Sequence, residues 1–219
     1  MTGFLKNNFL VFALYALALV YASLLLLNHE KIFLHIYLNQ FVGSQVLNVF
    51  FYYVTYLGDG MVAPFLLLII LIYNVRLGIY STISFLSATL SAQVLKRCFF
   101  DDLNRPSYIF NYMFPYPIKY VDGVERYIHN SFPSGHATQA FSILMCLAFI
   151  TKNQSLKLIF FFLALLTSMS RVYLSQHWLS DITAGSIIGF FFSILFYYVI
   201  IEKNKFGRLN KPLRAFKRS

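Results

Sequence analysis

Several apolar runs in this chain are long enough to cross a lipid bilayer as a helix. The clearest of them are Phe9 to Leu27, Leu156 to Tyr173 and Leu179 to Ile201. A helix needs about 20 apolar residues to cross about 30 Å of hydrocarbon, and it satisfies its own backbone hydrogen bonds there. Because 58% of the residues are hydrophobic and only 12% are charged, a soluble globular domain is excluded. The sequence therefore predicts an all-α, polytopic integral membrane protein.

Six transmembrane helices, TM1 to TM6, are predicted to form one bundle. The loops between them are too short for a second hydrophobic core, so residues 1–219 form a single domain. The start of TM2 is open: the helix either begins near Asn48 and runs through TYLGDG, or Gly58-Asp59-Gly60 is a turn outside a shorter span. The spans are TM1 near Phe9 to Leu27, TM2 ending near Asn74, TM3 near Leu77 to Leu95, TM4 near Ala137 to Ile150, TM5 near Leu156 to Tyr173 and TM6 near Leu179 to Ile201.

Loop charges predict that both termini lie on the cytoplasmic side. With the N-terminus inside, the cytoplasmic segments carry a single acid, Glu202, and eleven of the 18 basic residues. Cytoplasmic loops of membrane proteins show such an excess of Lys and Arg, so the net charge of +10 indicates topology and not a nucleic-acid-binding surface. The basic tail, 203–219, can also rest on anionic head groups. The eleven are Lys6, Arg76, Lys152, Lys157, Lys203, Lys205, Arg208, Lys211, Arg214, Lys217 and Arg218.

On the opposite side of the membrane, the sequence FPSGH leads into TM4. Ser134 is a candidate N-cap residue, and Gly135 allows a ligand to approach the backbone N–H groups closely. A helix start of this kind binds anions because its free N–H groups and its dipole point towards the ligand. His136 follows in the first turn, where its side chain can reach a bound anion. The alternative for this segment alone is an ordinary capped helix.

The sequence HWLSD leads into TM6 and places His177 and Asp181 at positions i and i+4, hence on one helix face. The carboxylate can accept a hydrogen bond from Nδ1 and fix the tautomer. Nε2 then keeps a free lone pair, which a nucleophile or a base requires. The N-terminal end of a helix also disfavours imidazolium and favours an incoming anion. The alternative is a pair that only joins TM6 to a neighbouring helix.

Three basic side chains lie near these same helix ends. Arg171 ends TM5 six positions before His177, while Lys96 and Arg105 flank the turn after TM3. One arginine guanidinium can bind two phosphate oxygens at once, and a lysine ammonium supplies a mobile point charge. Each alone could be an interface anchor. Ionisable groups at membrane depth are costly unless they are used, so the combination with two histidines favours a phosphate site.

Three short blocks resemble the motifs of the type 2 phosphatidic acid phosphatase superfamily, the membrane-bound relatives of vanadium haloperoxidases and bacterial non-specific acid phosphatases. PSGH at Pro133 to His136 is intact, and SRVYLSQHWLSD fits Ser-Arg, five residues, His, three residues, Asp. The first block departs from the commonest form, which has Lys, six residues and Arg-Pro. Here eight residues separate Lys96 from Arg105, and Arg97 is an alternative for the lysine role.

The resemblance implies a metal-independent phosphatase that acts through a phosphohistidine intermediate and uses no cofactor. His177 would be the nucleophile, Asp181 its orienting partner and His136 the general acid. A general acid contributes only about 10² to 10⁴ in rate, so the covalent step and the phosphate cradle would supply most of the acceleration. The cradle implied by the resemblance consists of Lys96, Arg105, Ser134, Gly135 and Arg171.

A site at the outer rim of the bilayer suits a lipid phosphate or diphosphate, whose tail stays in the membrane. The candidates from the family are undecaprenyl diphosphate, phosphatidylglycerol phosphate, phosphatidic acid and the phosphates of lipid A, and the sequence does not choose among them. Alternatives are a lipid phosphotransferase that uses the same histidine and a non-catalytic relative that binds phospholipid. The expected location is the bacterial inner membrane, with the site facing the periplasm or exterior and the protein a monomer or homodimer.

Gly185 and Gly189 in TM6 form a small-xxx-small pattern. Such a pattern indicates either close helix packing within the chain or a dimer face. We expect packing within the chain.

Overall fold

The computed structural model describes residues 2–213, and this part of the chain contains helices and no strands. Three residues of the predicted basic tail, Arg214, Lys217 and Arg218, lie outside the described residues. The α-helices are α1 (Thr2–Asn7), α2 (Phe9–Asn28), α3 (Lys31–Asn39), α4 (Gln45–Val54), α5 (Ala63–Tyr73), α6 (Val75–Cys98), α7 (Pro106–Tyr108), α8 (Gly135–Ile150), α9 (Gln154–Tyr173) and α10 (Leu179–Phe196).

TM1 and TM3 to TM6 each coincide with a helix and TM2 with two, but the helices differ in how well they suit a membrane. Within residues 2–213, three are long and apolar enough to cross one: α2, α9, and α10 with its π-helical continuation to Glu202. The α4 and α5 segments together could form a fourth. Helix α8 is apolar but has only 16 residues, and α6 carries charged residues at both ends. The integral membrane character follows from these helices, whereas six crossings stay a prediction.

The TM2 region is a broken helix. Helix α4 continues as a 3-10 turn over Thr55–Gly58, and α5 follows at an angle of 55°. A proline in the first turn of α5 suits a helix start, because its missing N–H would have no partner there. Both alternatives for TM2 are therefore partly right: the helix begins before Asn48, and the Gly58-Asp59-Gly60 sequence interrupts it.

Polar contacts collect at two opposite ends of the bundle. At one end, the Lys157 ammonium donates to the carbonyl oxygen of Asn7 at 2.7 Å, and the Arg76 guanidinium donates to the carbonyl oxygen of Ile200 at 2.8 Å. The N-terminal helix, the starts of α6 and α9 and the end of α10 thus meet there. These are the segments for which loop charges predict a cytoplasmic position. The ends of α6 and α9 and the starts of α8 and α10 point the other way.

Helix α8 is the centre of the bundle. It packs against α6, α9 and α10, and most of its side chains are buried. Large aromatic residues from α2 and α10, such as Tyr15 and Phe190, stack against its flank. The central position of α8 fixes the location of the PSGH sequence at its N-terminus.

Two glycines bring α10 against α8. A Cβ atom at Gly185 would lie 2.5 Å from the carbonyl oxygen of Ser134. A Cβ atom at Gly189 would clash with the carbonyl oxygen of Thr138 and would lie 2.8 Å from the backbone nitrogen of Ser142. This face of α10 is therefore occupied by α8, and the small-xxx-small pattern serves packing within the chain.

We expect Gly189→Ala to lower the free energy of unfolding by about 1–3 kcal/mol, the usual cost of overpacking. The atoms that the new methyl group would meet are mostly backbone, which cannot rotate away. Thermal unfolding in detergent measures the effect. Gly3→Ala is the matched control, because a Cβ there has nothing within 4 Å. Equal stability of both variants would show that α8 and α10 can separate without cost.

Candidate active site

All eight residues predicted for the site lie at the second polar end of the bundle. His136 interacts electrostatically with the three predicted cations and with His177. Lys96 interacts in the same way with Asp181. The backbone N–H of Ser134 donates to the carbonyl oxygen of Asp181 at 3.0 Å, which joins the start of α8 to the first turn of α10. Four helix ends that are far apart in sequence thus form one cluster.

His177 and Asp181 form a buried pair. The Nδ1 atom of His177 lies 3.3 Å from Oδ2 of Asp181, and each residue is 2% exposed. The prediction that both lie on one face of TM6 is wrong in one respect, because α10 begins at Leu179 and His177 lies in the turn before it. The backbone N–H of Trp178 donates to the same carboxylate oxygen at 3.1 Å. This bond caps the start of α10 just after His177 and holds the carboxylate beside the imidazole.

Two hydroxyl groups also donate to the carboxylate. The hydroxyl of Ser131 donates to Oδ2 of Asp181 at 2.5 Å, and the hydroxyl of Ser180 donates to Oδ1 at 3.1 Å. A carboxylate that accepts several hydrogen bonds is held firmly in its charged form and in one orientation. Asp181 can therefore orient the His177 ring and stabilise a positive charge that develops on it.

The turn that carries His177 is fixed to the end of α9. The backbone N–H groups of Gln176 and His177 both donate to the carbonyl oxygen of Arg171, at 2.8 and 3.1 Å. Ser175 takes a left-handed conformation with φ of 54°, and its hydroxyl lies 3.1 Å from Nε2 of the buried His35. The nucleophile candidate is thus held by backbone and side-chain bonds on both sides.

Burial keeps the His177 ring neutral. Loss of solvent lowers its pKa to about 3, although the hydrogen bond with Asp181 acts in the opposite direction. The ring therefore carries no charge near pH 7. With Nδ1 bonded to Asp181, Nε2 has no hydrogen-bond partner among the described residues and retains its lone pair. This is the protonation state that a nucleophile requires.

Arg105 and Arg171 are held in the cluster by uncharged acceptors. The Arg105 guanidinium donates to the carbonyl oxygens of His129 at 2.8 Å and Gln176 at 3.1 Å. The Arg171 guanidinium donates to the hydroxyl of Thr55 at 2.8 Å, while its Nε is buried without a hydrogen-bond partner in residues 2–213. Their positive charges are thus fixed in place, and no carboxylate of the described residues forms a salt bridge with them. Such charges can attract an anionic group.

Lys96, and not Arg97, points into this cluster. The Lys96 side chain is buried and interacts electrostatically with Arg105, Arg171 and Asp181. Arg97 is exposed. Two adjacent residues of a helix point in directions about 100° apart, so only one of them can face the cluster.

The N-terminus of α8 is open to a ligand at one point. Ser134 is the N-cap, as predicted, and its hydroxyl oxygen accepts a hydrogen bond from the backbone N–H of Ala137 at 3.4 Å. A Cβ atom at Gly135 would meet nothing within 4 Å. His136 follows in the first turn of the helix and is partly exposed. A phosphate group can therefore approach these N–H groups and the imidazole together.

A cavity of about 270 Å³ leads from this cluster to the outside. His136 and Arg171 line it, together with Tyr127 from the loop before α8. Thr55 in the 3-10 turn after α4 and Asp59, which follows that turn, also line it. Two of the predicted site residues thus border the cavity.

Sequence reasoning missed four residues that complete the site. Ser131 bonds to Asp181, Thr55 bonds to Arg171, His35 contacts the turn of His177, and Asp59 lies opposite His136. Asp59 could have been found from the sequence, because a lone carboxylate within an apolar stretch is energetically costly and usually functional. The other three are ordinary residue types whose roles depend on distant contacts, and nothing in their neighbouring sequence distinguishes them.

Comparisons with known proteins match this chain to a family and to a curated relative. A family model described as the PAP2 superfamily matches residues 76–205, more than half of the chain. The lipid A 4'-phosphatase of Bacteroides thetaiotaomicron is 35% identical over 68 residues, which are 31% of this chain and 30% of that relative. The aligned part of the chain therefore spans less than a third of the relative.

Two solved structures have a similar fold. The crystal structure of Aquifex aeolicus LpxE superimposes with a TM-score of 0.64 at 26% identity, covering 74% of this chain and 92% of that chain. The transmembrane PAP2 type phosphatidylglycerolphosphate phosphatase from Bacillus subtilis gives a TM-score of 0.62 at 20% identity, covering 91% of this chain and 98% of that one. The second likeness concerns the fold alone.

Proposed function

The chain belongs to the PAP2 superfamily, and on this basis we propose that it is a membrane phosphatase that hydrolyses a lipid phosphate or diphosphate. One observation carries the proposal: a buried, neutral His177 paired with Asp181 shares a single cluster with His136 and three cations. Phosphoryl transfer needs chiefly positioning and fixed positive charge around spreading negative charge. The cluster supplies both.

In the proposed first step, Nε2 of His177 attacks the phosphorus atom. The P–N bond forms while the bond from phosphorus to the leaving oxygen breaks, and His136 gives its proton to that oxygen. Asp181 stabilises the positive charge on the His177 ring through Nδ1. Arg105 and Arg171, with Lys96, hold the phosphoryl oxygens, so the charge that spreads over them is met by fixed cations.

In the proposed second step, water releases the phosphoryl group. His136 takes a proton from the water molecule, whose oxygen attacks phosphorus as the P–N bond breaks. The lone pair returns to Nε2 of His177, and inorganic phosphate leaves. Because Lys96, Arg105 and Arg171 already supply positive charge, we propose that the reaction is metal-independent. Unchanged phosphate release in excess chelator is the expected result.

We propose a substrate whose phosphate lies at the membrane surface, with the site on the periplasmic or external side of a bacterial inner membrane and both termini in the cytoplasm. The placement is supported by the basic residues at the opposite end of the bundle. Of the candidate substrates, lipid A phosphate is to be tested first, because a lipid A 4'-phosphatase is a relative at 35% identity over the aligned part.

The test is phosphate release by the purified protein in detergent. Lipid A, phosphatidylglycerol phosphate, phosphatidic acid and undecaprenyl diphosphate are supplied separately, and inorganic phosphate is measured for each. Release from at least one of them is expected. Transfer of the label to a lipid acceptor, without free phosphate, would instead identify a phosphotransferase. Binding of a substrate without release or transfer would refute the enzymatic proposal.

A further inference from the structure

The carboxylate of Asp59 lies beside the imidazole of His136 at the cavity. Its Oδ2 atom is 3.8 Å from Nε2 of His136, and the side chains are 32% and 28% exposed, respectively. Both residues line the same cavity. At 3.8 Å the two groups interact by charge without a direct hydrogen bond. The imidazole N–H therefore stays available to a substrate oxygen that enters beside the carboxylate.

The position of Asp59 is built by close backbone packing. A Cβ atom at the preceding residue, Gly58, would lie 2.6 Å from the carbonyl oxygen of His136 and 2.9 Å from the methyl group of Thr167. Only glycine lets the 3-10 turn approach the first turn of α8 so closely. The other oxygen of Asp59, Oδ1, accepts from the backbone N–H of Met61 at 2.8 Å. The carboxylate is thus anchored and not a freely moving surface group.

The charges around His136 explain why a carboxylate is useful there. Arg171 from α9, Lys96 from α6, Arg105 from the loop before α7 and His177 all interact with it electrostatically. A general acid must carry its proton when the leaving group departs. Burial and, after it, these positive neighbours lower the pKa of His136, whereas the Asp59 carboxylate beside Nε2 favours the protonated ring.

We infer that Asp59 is a positioning residue for the general acid: it orients the His136 ring and stabilises its imidazolium form before proton transfer. The inference rests on the proposed function. The proton passes from the imidazolium to the leaving oxygen as the P–O bond breaks, and His136 becomes neutral. Asp59 remains a carboxylate throughout and touches neither the substrate nor the phosphorus.

The test is Asp59→Asn, which keeps the side-chain size and an oxygen that can accept from Met61 while removing the charge. It is assayed on two phosphates with the same hydrocarbon chain, one an alkyl ester and one a nitroaryl ester. The alkyl oxygen needs a proton to leave, and the nitroaryl oxygen does not. We expect kcat for the alkyl ester to fall about tenfold or more, with KM changed less than about threefold and nitroaryl hydrolysis within about twofold of wild type.

A pH profile gives a second readout. Without the negative charge, the alkaline limb of kcat for the alkyl ester should move to lower pH by about one unit. Asp59→Glu should restore part of the lost rate. Asp102→Asn is the matched control, because this carboxylate is exposed in the loop after α6, and it should behave as wild type on both esters.

Equal losses on the two esters, or a change in KM alone, would overturn the inference, because a purely structural residue or one that supports Arg171 would affect both substrates alike. If wild-type protein hydrolyses neither ester nor any lipid phosphate, the proposed function fails and the inference falls with it. The two failures are therefore distinguishable by the activity of the wild-type protein.

Discussion

Replacing His177 with alanine is expected to reduce phosphate release by at least about 10⁴-fold, the order of loss seen when a covalent catalyst loses its nucleophile. The reason is geometric. The His177 ring is neutral and interacts electrostatically with Arg105 and Arg171, and its Nδ1 is held by Asp181. Without this ring the P–N bond cannot form, and water would have to attack phosphorus directly. Hydrolysis of a saturating lipid phosphate by the purified variant measures the effect.

Two further variants keep this prediction decisive. Removing a buried imidazole leaves a cavity, so thermal unfolding of His177→Ala is measured beside its activity. His177→Asn keeps a polar side chain of similar size and should be equally inactive but more stable. His29→Ala is the control, because that histidine is exposed and outside the cluster. Hydrolysis near the wild-type rate in either His177 variant would refute the covalent mechanism.

Replacing His136 with alanine is expected to lower kcat by about 10² to 10⁴, the usual contribution of a general acid. The loss should be largest for alkyl esters, because their leaving oxygen must be protonated. His136 lines the cavity together with Arg171, so a substrate that enters the cavity can reach its imidazole. Rates on the alkyl and nitroaryl esters, measured side by side, separate loss of proton transfer from loss of binding.

The outcome for His136→Ala also bears on Asp59. The double variant with Asp59→Asn should be no slower than His136→Ala alone, because Asp59 acts through the imidazole that has been removed. Equal losses for the two esters in His136→Ala would show that the main contribution of this residue is not protonation of the leaving oxygen.

Much of this protein could be predicted from local sequence. Apolar runs gave the helices, since backbone groups in hydrocarbon must bond within their own segment. PSGH gave the start of α8, and the capping role of Ser134 follows from its residue type. The spacing of His177 and Asp181 indicated a pair, and the structure places their atoms 3.3 Å apart although His177 lies before the helix.

Other parts of the site depend on contacts between distant segments. Whether Lys96 or Arg97 faces the site depends on how α6 is rotated about its axis relative to its neighbours. The pattern of apolar residues could not decide this, because both residues are charged. The break in TM2 was visible as two glycines, but its position against α8 was not. That position follows from the fit of Gly58 onto the backbone of His136.

Residue types and their spacing were enough to predict the long apolar helices α2, α9 and α10, the helix ends that carry charge, and the roles that histidine, arginine and carboxylate could take. The contacts of Thr55 with Arg171 and of Asp59 with His136 depend on how the helices pack, and only the tertiary structure shows them. The physical reason is that the hydrogen bonds within a helix and at its cap join residues within a few positions of each other. Contacts of the segment after α4 with α8 and α9 depend instead on how closely three separate backbones can approach.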